Sequence, residues 1–253
     1  MRRTQLPATH RAPFARRSTQ SYPQFLWKTL WKVGRMARPG GSRAGLPINR
    51  PLPPARNQSI RFLTHRKENT MAYRVAVVVG SLRRGSWNRA LAHAVISLAP
   101  SDLSFEFVEI GELPLYSQDY DADFPEVAKR FKQSIEAADA LLFVTPEYNR
   151  SIPGVLKNAL DWGSRPWGSN SWAGKPGAVL GTSPGATGTA LAQQHLRNVL
   201  SYLDVKLLGQ PEMFIKHDPT RIDDEGKIVN EDTRKFLQGF VDRYADWVRL
   251  LKK

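Results

Sequence analysis

The sequence predicts an α/β fold in which a doubly wound, five-stranded parallel sheet of order 2-1-3-4-5 carries helices on both faces. From residue 73 onward, apolar segments of strand length alternate with segments whose apolar residues recur every three or four positions. The first apolar segment, Val75 to Val79, lacks polar alternation, which is typical of a strand buried on both faces of a parallel sheet. Polar loops follow the first and third predicted strands. These are the two strands that flank the switch point in this order.

Each predicted element has a local pattern that supports it. After the first strand, Leu91, Val95 and Ile96 recur at helical spacing, and the segment 103–110 alternates like a half-exposed edge strand. In order, the predicted elements are strand 73–79, helix 88–99, strand 103–110, helix 124–138, strand 140–144, helix 151–162, strand 175–182, helix 189–203, strand 205–208 with an extension through 213–215, and helix 231–250.

The loop Gly80-Ser-Leu-Arg-Arg-Gly-Ser-Trp-Asn88 joins the carboxyl end of a strand to the amino end of a helix. Unpaired N–H groups and the positive end of the helix dipole favour an anion at such a junction. Possible phosphate donors in the loop are Ser81, Ser86 and Asn88. Close backbone approach is allowed by Gly80 and Gly85, and Arg83 or Arg84 can supply positive charge. The loop matches neither the P-loop nor the dinucleotide-binding glycine pattern, so a mononucleotide phosphate fits better. The alternative is an ordinary strand-to-helix turn capped by Ser and Asn.

A second motif, Thr145-Pro-Glu-Tyr-Asn-Arg-Ser-Ile-Pro-Gly-Val-Leu-Lys-Asn-Ala-Leu-Asp-Trp162, follows the predicted strand 140–144. Together with the loop 80–88, it resembles the NADPH-dependent FMN reductase family, and most nearly its chromate and quinone reductases. The resemblance covers residues 71–253. Arg150 departs from it, since an aromatic residue is expected there in close relatives, and this bears on the face presented to the second substrate.

The resemblance implies a flavodoxin-like reductase domain that binds FMN and takes electrons from NADH or NADPH. The residues expected to contact the FMN phosphate and ribityl chain are Ser81, Arg83, Ser86, Trp87 and Asn88. Those expected to line the isoalloxazine are Pro146, Glu147, Tyr148 and Asn149, with Ser183 and Gly185 at its far edge. No side chain is expected to act as a catalytic acid, base or nucleophile, because the flavin carries the chemistry.

The expected reaction is ping-pong transfer of hydride from NAD(P)H through FMN to quinones, chromate, nitro or azo compounds. The alternatives are a flavodoxin-like electron carrier and a flavin-binding sensor or interaction module. Carriers of that kind are usually strongly acidic, whereas residues 71–253 hold 22 basic and 22 acidic side chains. Balanced charge therefore favours the enzyme. Relatives commonly form homodimers or homotetramers, and the predicted helices 151–162 and 189–203 are candidates for those contacts.

Several residues have a structural interpretation beside the functional one. Arg150, Trp167 and Trp172 are candidates for the substrate mouth, and for the two tryptophans a subunit interface is an equal alternative. Glu147 could bond to nearby backbone instead of the flavin. The histidines His93, His195 and His217 lie far apart and near no carboxylate cluster, so they are interpreted as surface or structural groups, and no metal site is expected. The chain has no cysteine, which excludes disulfides and thiolate chemistry.

Residues 1–70 differ in composition from the rest of the chain. They hold 15 Lys and Arg against one acid, Glu68, and so account for the whole net charge of +14. Rich in Pro, Arg and Ser, they are predicted to be a disordered extension, favoured here as an upstream reading-frame extension that precedes Met71. An organelle leader and a basic arm for nucleic acid or lipid are the alternatives. No apolar run is long enough for a membrane span, and a cytoplasmic enzyme is expected.

Overall fold

The computed structural model describes residues 72–252, and the predicted disordered extension 1–70 lies outside them. Six strands and five α-helices alternate along this part of the chain, with a short 3₁₀ turn at Gln118–Tyr120. The elements are β1 Tyr73–Val79, α1 Trp87–Ile96, β2 Leu103–Phe107, α2 Glu126–Ala137, β3 Ala140–Val144, α3 Gly154–Gly163, β4 Pro176–Ser183, α4 Ala190–Tyr202, β5 Lys206–Leu207, β6 Met213–Lys216 and α5 Glu231–Leu251.

All strand pairs in the sheet are parallel, and the order β2-β1-β3-β4-β5 confirms the predicted flavodoxin-like topology. The strand β2 lies at an edge, as its alternating sequence predicts, although it ends at Phe107 rather than at residue 110. The central strands β1 and β3 are almost entirely buried, which agrees with their unbroken apolar sequences.

The other edge of the sheet consists of two short strands rather than one extended strand. The strand β5 pairs with Pro176 and Gly177 at the start of β4, and β6 pairs with its last four residues, Leu180 to Ser183. The segment between them contains the cis Gln210–Pro211 peptide bond. Since proline has no N–H to donate to a ladder, the edge is interrupted there and resumes at Met213.

The sheet lies between two hydrophobic cores, one on each face. On one face, α1 and α5 pack Leu91, Phe240 and Tyr244 against β1, β3 and β4. On the other face, α2, α3 and α4 form the second core, which contains Trp162 and Trp172. This double cover leaves the carboxyl ends of β1, β3 and β4, with their loops, as the place where a ligand can approach the sheet.

Candidate functional site

The carboxyl ends of β1, β3 and β4 are tied together by backbone hydrogen bonds. The N–H of Gly80 donates to the carbonyl of Val144 at 2.9 Å, and the N–H of Thr145 donates to the carbonyl of Leu180 at 3.0 Å. Each bond joins the first residue beyond one strand to its neighbouring strand. The three loops that follow therefore start from fixed positions, and they form the candidate site.

The β1–α1 loop presents an unusual number of open donors. None of the backbone N–H groups of residues 81–88 donates a hydrogen bond within the described part of the chain. Ser86 is the N-cap of α1, with its hydroxyl accepting from the N–H of Arg89 at 3.3 Å, and Gly85 adopts a φ of 61°. A left-handed conformation favours glycine at this position. The loop thus offers a ring of donors at a helix amino end, the arrangement that binds phosphate.

Arg83 is held across the face of Trp87. Its guanidinium carbon lies 4.9 Å from the centre of the indole ring, and one of its nitrogens donates to the carbonyl of Arg84 at 3.2 Å. On its other side, Trp87 stacks on His217 with ring centres 3.8 Å apart and planes at 11°. Burial, with the charge of Arg83 acting in the same direction, lowers the pKa of His217. The stack keeps a positive charge beside the open donors of the loop.

The side chain of Asn88 points away from solvent and into the protein. Its amide nitrogen donates to the carbonyl of Thr182 at 2.9 Å, and its amide oxygen accepts from the N–H of Thr182 at 3.0 Å. Only 4% of Asn88 is exposed. Both ends of the side-chain amide are therefore committed to β4, which leaves the backbone N–H of Asn88 as its group for the predicted phosphate contact. Asn88 fixes the phosphate loop to the strand that carries the third loop of the site.

The β3–α3 loop opens with a tight hairpin turn. Tyr148 and Ser151 exchange backbone hydrogen bonds of 2.9 and 3.0 Å, and the two residues between them, Asn149 and Arg150, have φ values of 50° and 67°. Positive φ values at both central residues are the pattern of a type I′ turn. Tyr148 is half exposed at the base of this turn, where its ring faces outward.

Glu147 uses its carboxylate to cap α4. One carboxylate oxygen accepts from the N–H groups of Leu191 at 3.0 Å and Ala192 at 3.1 Å, and the other lies 3.5 Å from the guanidinium of Arg150. The alternative interpretation of Glu147, as a carboxylate bonded to backbone, is therefore the one that the geometry favours for its side chain. Its own N–H remains without a partner in the described residues.

The β4–α4 loop closes the other side of the site. The Ser183 hydroxyl donates to the carbonyl of Gly188 and accepts from the N–H of Gly185 at 3.2 Å. Below it, a Cβ on Gly181 would lie 2.1 Å from the carbonyl oxygen of Thr145, so only glycine lets the two strands end this close together. A cleft of about 390 Å³ lies between this loop and the turn that carries Asn149 and Arg150.

These loops fit an FMN group. The open N–H donors of residues 81–88 suit a phosphate, while the N–H groups of Glu147, Asn149, Ala186 and Thr187, which have no acceptor in the described residues, surround the neighbouring cleft. A flavin ring has carbonyl and ring-nitrogen acceptors that need such donors when they leave water. Pro146, buried between these loops, adds an apolar contact surface, and Ser81 is partly exposed at the mouth of the phosphate loop.

The two tryptophan candidates for the substrate mouth lie elsewhere. Trp172 is fully buried, and its indole N–H donates to the carbonyl of Leu160 at 3.0 Å. Trp167 is 80% exposed but belongs to the loop that leads from α3 into the start of β4. Loops of that kind approach the amino edge of a parallel sheet, opposite the candidate site. The prediction of Trp172 at a substrate mouth is therefore corrected, because its ring belongs to the core. For Trp167, the subunit interface given above as the alternative stays a prediction.

His217 is a residue that the sequence interpretation did not connect with the site. Its stacking partner Trp87 is 130 positions away along the chain, and no local pattern around His217 signals the contact. The strand β6 brings it there, because the N–H of His217 donates to the carbonyl of Ser183 at 2.8 Å. Among residues 72–252, no group of three or more side chains is placed to hold a metal ion. No helix in the same range has the length and apolar character needed to cross a bilayer.

Comparison with known proteins places the chain among flavin-dependent reductases. The family model described as NADPH-dependent FMN reductase matches residues 73–220. A 2-hydroxy-1,4-benzoquinone reductase of a Burkholderia species is 71% identical over 179 residues, which cover 71% of this chain and 98% of the relative. A quinone reductase of Pseudomonas putida is 52% identical over 182 residues, covering 72% of this chain and 97% of the relative.

A solved structure gives the same result. The flavoenzyme NAD(P)H:(acceptor) oxidoreductase FerB from Paracoccus denitrificans superimposes with a TM-score of 0.68 and 48% sequence identity. The match covers 70% of this chain and 98% of FerB. The similarity therefore spans nearly the whole of these proteins and about 70% of the present chain.

Proposed function

Because the chain belongs to the NADPH-dependent FMN reductase family, and is thus an FMN-dependent enzyme that takes electrons from NAD(P)H, we propose that it reduces quinones by a ping-pong mechanism. Chromate and nitro or azo compounds are further acceptors in this proposal. The names of the relatives from Burkholderia and Pseudomonas putida favour quinones as the first class to test.

One observation carries the proposal at the level of the site. Two separate sets of open backbone donors, one on the loop 81–88 and one around the neighbouring cleft, lie beyond β1, β3 and β4 at the switch point of the sheet. The first set suits a terminal phosphate and the second suits the polar edge of a planar ring. A mononucleotide whose ring and phosphate are separated by a short chain matches both.

The chain's own groups bind and orient the cofactor in this proposal. Ser81, Ser86 and the N–H groups of the loop hold the phosphate, with Arg83 supplying positive charge. The backbone at residues 146–149 lines one part of the ring, and Ser183 and Gly185 lie at the far edge. Bound FMN supplies the hydride acceptor and donor, and a low-dielectric pocket with fixed N–H donors favours the more anionic reduced form.

A ping-pong order follows if one open face serves both substrates. The sheet and the phosphate loop cover one side, which leaves an opening near Tyr148 and Arg150 for NAD(P)H and then for the acceptor. Arg150 is 69% exposed in its side chain and only loosely paired with Glu147, so it can attract the phosphates of the nucleotide or an anionic acceptor. Arg150→Tyr should raise the KM for one of these substrates.

Purified full-length chain provides the test. We expect about one FMN per chain and sustained oxidation of NADH or NADPH when a benzoquinone is supplied. Initial-rate plots at several quinone concentrations should be parallel, with high quinone competing against NAD(P)H. Protein that neither retains nor rebinds FMN would contradict the site, and intersecting lines would contradict the single-face order. Bound FMN without sustained turnover would favour the electron carrier, the second candidate.

Three further expectations accompany this function. Residues 71–253 form the reductase domain by themselves, so starting the chain at Met71 should leave FMN content and turnover unchanged. The enzyme acts in the cytoplasm as a homodimer or homotetramer built through α3 and α4, and Leu191 and Tyr202 are exposed apolar positions on α4 that suit such a contact. An active, FMN-loaded monomer in sedimentation experiments would contradict the assembly.

A further inference from the structure

A second cavity lies on the opposite side of β4 and β6 from the cleft at Arg150. It has a volume of about 410 Å³, within the range of small-molecule sites. Its walls come from α1, the end of β6, the segment 217–223 and the first turns of α5. Trp87 is the one residue of the phosphate loop that also lines this cavity.

Thr182 gives the cavity an unsatisfied polar group. The side chain is on the same face of β4 as those of Ala178 and Leu180, which pack toward α1 and α5. Thr182 is 4% exposed, and its hydroxyl has no hydrogen-bond partner in the described residues. Buried hydroxyls are nearly always hydrogen-bonded, and Thr182 is one of the residues that line the cavity, so its unpartnered hydroxyl indicates a polar group of a ligand or a water that completes it.

The cavity wall is apolar and aromatic at its base. Leu91, Ile215 and Leu237 are wall residues, and Phe236, half exposed, lies at the opening. The stacked residues Trp87 and His217 also line the cavity. A flat apolar body is the shape and chemistry that such a surface binds.

The rim is acidic. Its acids are Asp218, Asp223 and Asp232, and Arg221 is already paired with Asp218 at 3.2 Å. Asp223 accepts backbone N–H groups of its own loop. Asp232 makes no hydrogen bond or ion pair within residues 72–252 and lies in the first turn of α5.

The remaining positive groups near the cavity do not cancel this charge. Lys216 is one of the residues that line the cavity, but it alternates with Ile215 along β6, so its side chain leaves the sheet on the opposite face from that of Ile215. Burial lowers the pKa of His217, which favours the neutral form of the ring. The cavity therefore combines an aromatic base, a free hydroxyl and one uncommitted carboxylate.

We propose that this cavity binds a small aromatic molecule carrying a protonated amine, with the ring against the apolar base, the amine near Asp232 and the Thr182 hydroxyl bonded to the ligand. The site is separate from the flavin cleft and does not depend on the proposed reductase function. It adjoins the phosphate loop through Trp87.

Three indoles of nearly equal size test the charge preference. Tryptamine is cationic, tryptophol is neutral and indole-3-acetate is anionic at pH 7. Titration calorimetry on the full-length chain, loaded with FMN so that the flavin site is filled, should give tryptamine an affinity about tenfold higher than tryptophol, with indole-3-acetate weakest. Equal binding of the three indoles, preference for the anion, or no binding of tryptamine would overturn the proposal.

Substitutions of two residues in the same helical turn test where tryptamine binds. Asp232→Asn should weaken tryptamine binding about fivefold, a modest factor because the carboxylate is exposed to water. Glu231→Gln is the matched control, since Glu231 lies in the same first turn of α5 but outside the cavity wall, and it should change binding less than twofold. Thr182→Val should weaken all ligands that reach the hydroxyl. Tryptamine binding that survives Asp232→Asn unchanged would show that it binds elsewhere and would refute the assignment.

Discussion

Replacing Asn88 by alanine tests whether the phosphate loop is held by β4. The substitution removes two hydrogen bonds, of 2.9 and 3.0 Å, and leaves both the N–H and the carbonyl of Thr182 without their partner. Each buried group left unsatisfied costs about 1–3 kcal/mol. Water that enters the small space left by the side chain will offset a part of this, so we expect a loss of about 2–4 kcal/mol in the free energy of unfolding.

The same substitution should loosen the cofactor site without removing a cofactor contact. The loop 81–88 would lose its attachment to Thr182, and its open N–H groups would have to be ordered when the phosphate binds. FMN affinity should therefore fall about tenfold, which corresponds to about 1.4 kcal/mol. Urea denaturation of the FMN-free protein gives the stability, and quenching of FMN fluorescence gives the affinity. In a thermal scan the stability loss should lower Tm by about 5–15 °C.

Asn158→Ala is the matched control for Asn88→Ala. Asn158 is also a buried amide bonded to backbone, accepting from the N–H of Tyr116 at 2.8 Å and donating to the carbonyls of Pro114 at 2.9 Å and Leu113 at 3.4 Å. These partners belong to the loop between β2 and α2, away from the open donors. Asn158→Ala should lower the free energy of unfolding by a similar amount and leave FMN affinity unchanged. If Asn88→Ala weakens FMN binding but leaves stability unchanged, Asn88 contacts the cofactor directly and the positioning role is refuted.

Other substitutions test separate parts of the structure. Arg83→Ala should weaken FMN binding by about 1.5–3 kcal/mol, the range for hydrogen bonds to charged groups, while riboflavin, which lacks the phosphate, should bind almost as before in the same fluorescence titration. Thr182→Val should leave urea stability unchanged or raise it because it removes an unpaired hydroxyl, whereas Thr189→Val, whose hydroxyl is bonded to an amide at 2.8 Å, should lose about 1 kcal/mol. A double hydrogen bond from Arg249 holds the pKa of Asp102 below its usual value, so this pair stabilises the fold at neutral pH and loses its contribution as pH falls below about 4. Arg249→Gln should therefore lower stability by about 0.5–1 kcal/mol at pH 7 and by progressively less in more acidic urea titrations.

The sheet could be predicted from the sequence because its strands are apolar throughout and its loops are polar. The runs Val75–Val79 and Ala140–Val144 leave no polar face, so each has to be covered by helices on both sides, which selects a parallel doubly wound sheet. The ends of the fifth strand were less predictable. The segment 205–215 has apolar residues on both sides of Pro211, and its local sequence does not show that Lys206–Leu207 and Met213–Lys216 pair with β4 as two pieces.

The sequence predicts which loops form the site, but it does not predict which way their side chains point. The order of the strands places the three loops together, so the residues of the two motifs were expected to meet. Whether a polar residue faces the ligand or the protein depends on which backbone groups lie unpaired behind it. Asn88 and Glu147 both turn inward because the end of β4 and the start of α4 offer N–H groups that have no other acceptor.

Trp172, in the loop before β4, shows why the burial of an aromatic residue could not be predicted from its local sequence. A loop rich in Gly and Ser favours an exposed ring, yet Trp172 lies in the core because Gly163, at the end of α3, leaves room for it. A Cβ at Gly163 would fall 2.4 Å from the indole of Trp172. The two residues form a complementary pair nine positions apart, and neither shows this in its local sequence. A glycine at a helix end is normally interpreted as a stop signal, and here it is also the space into which the next loop packs.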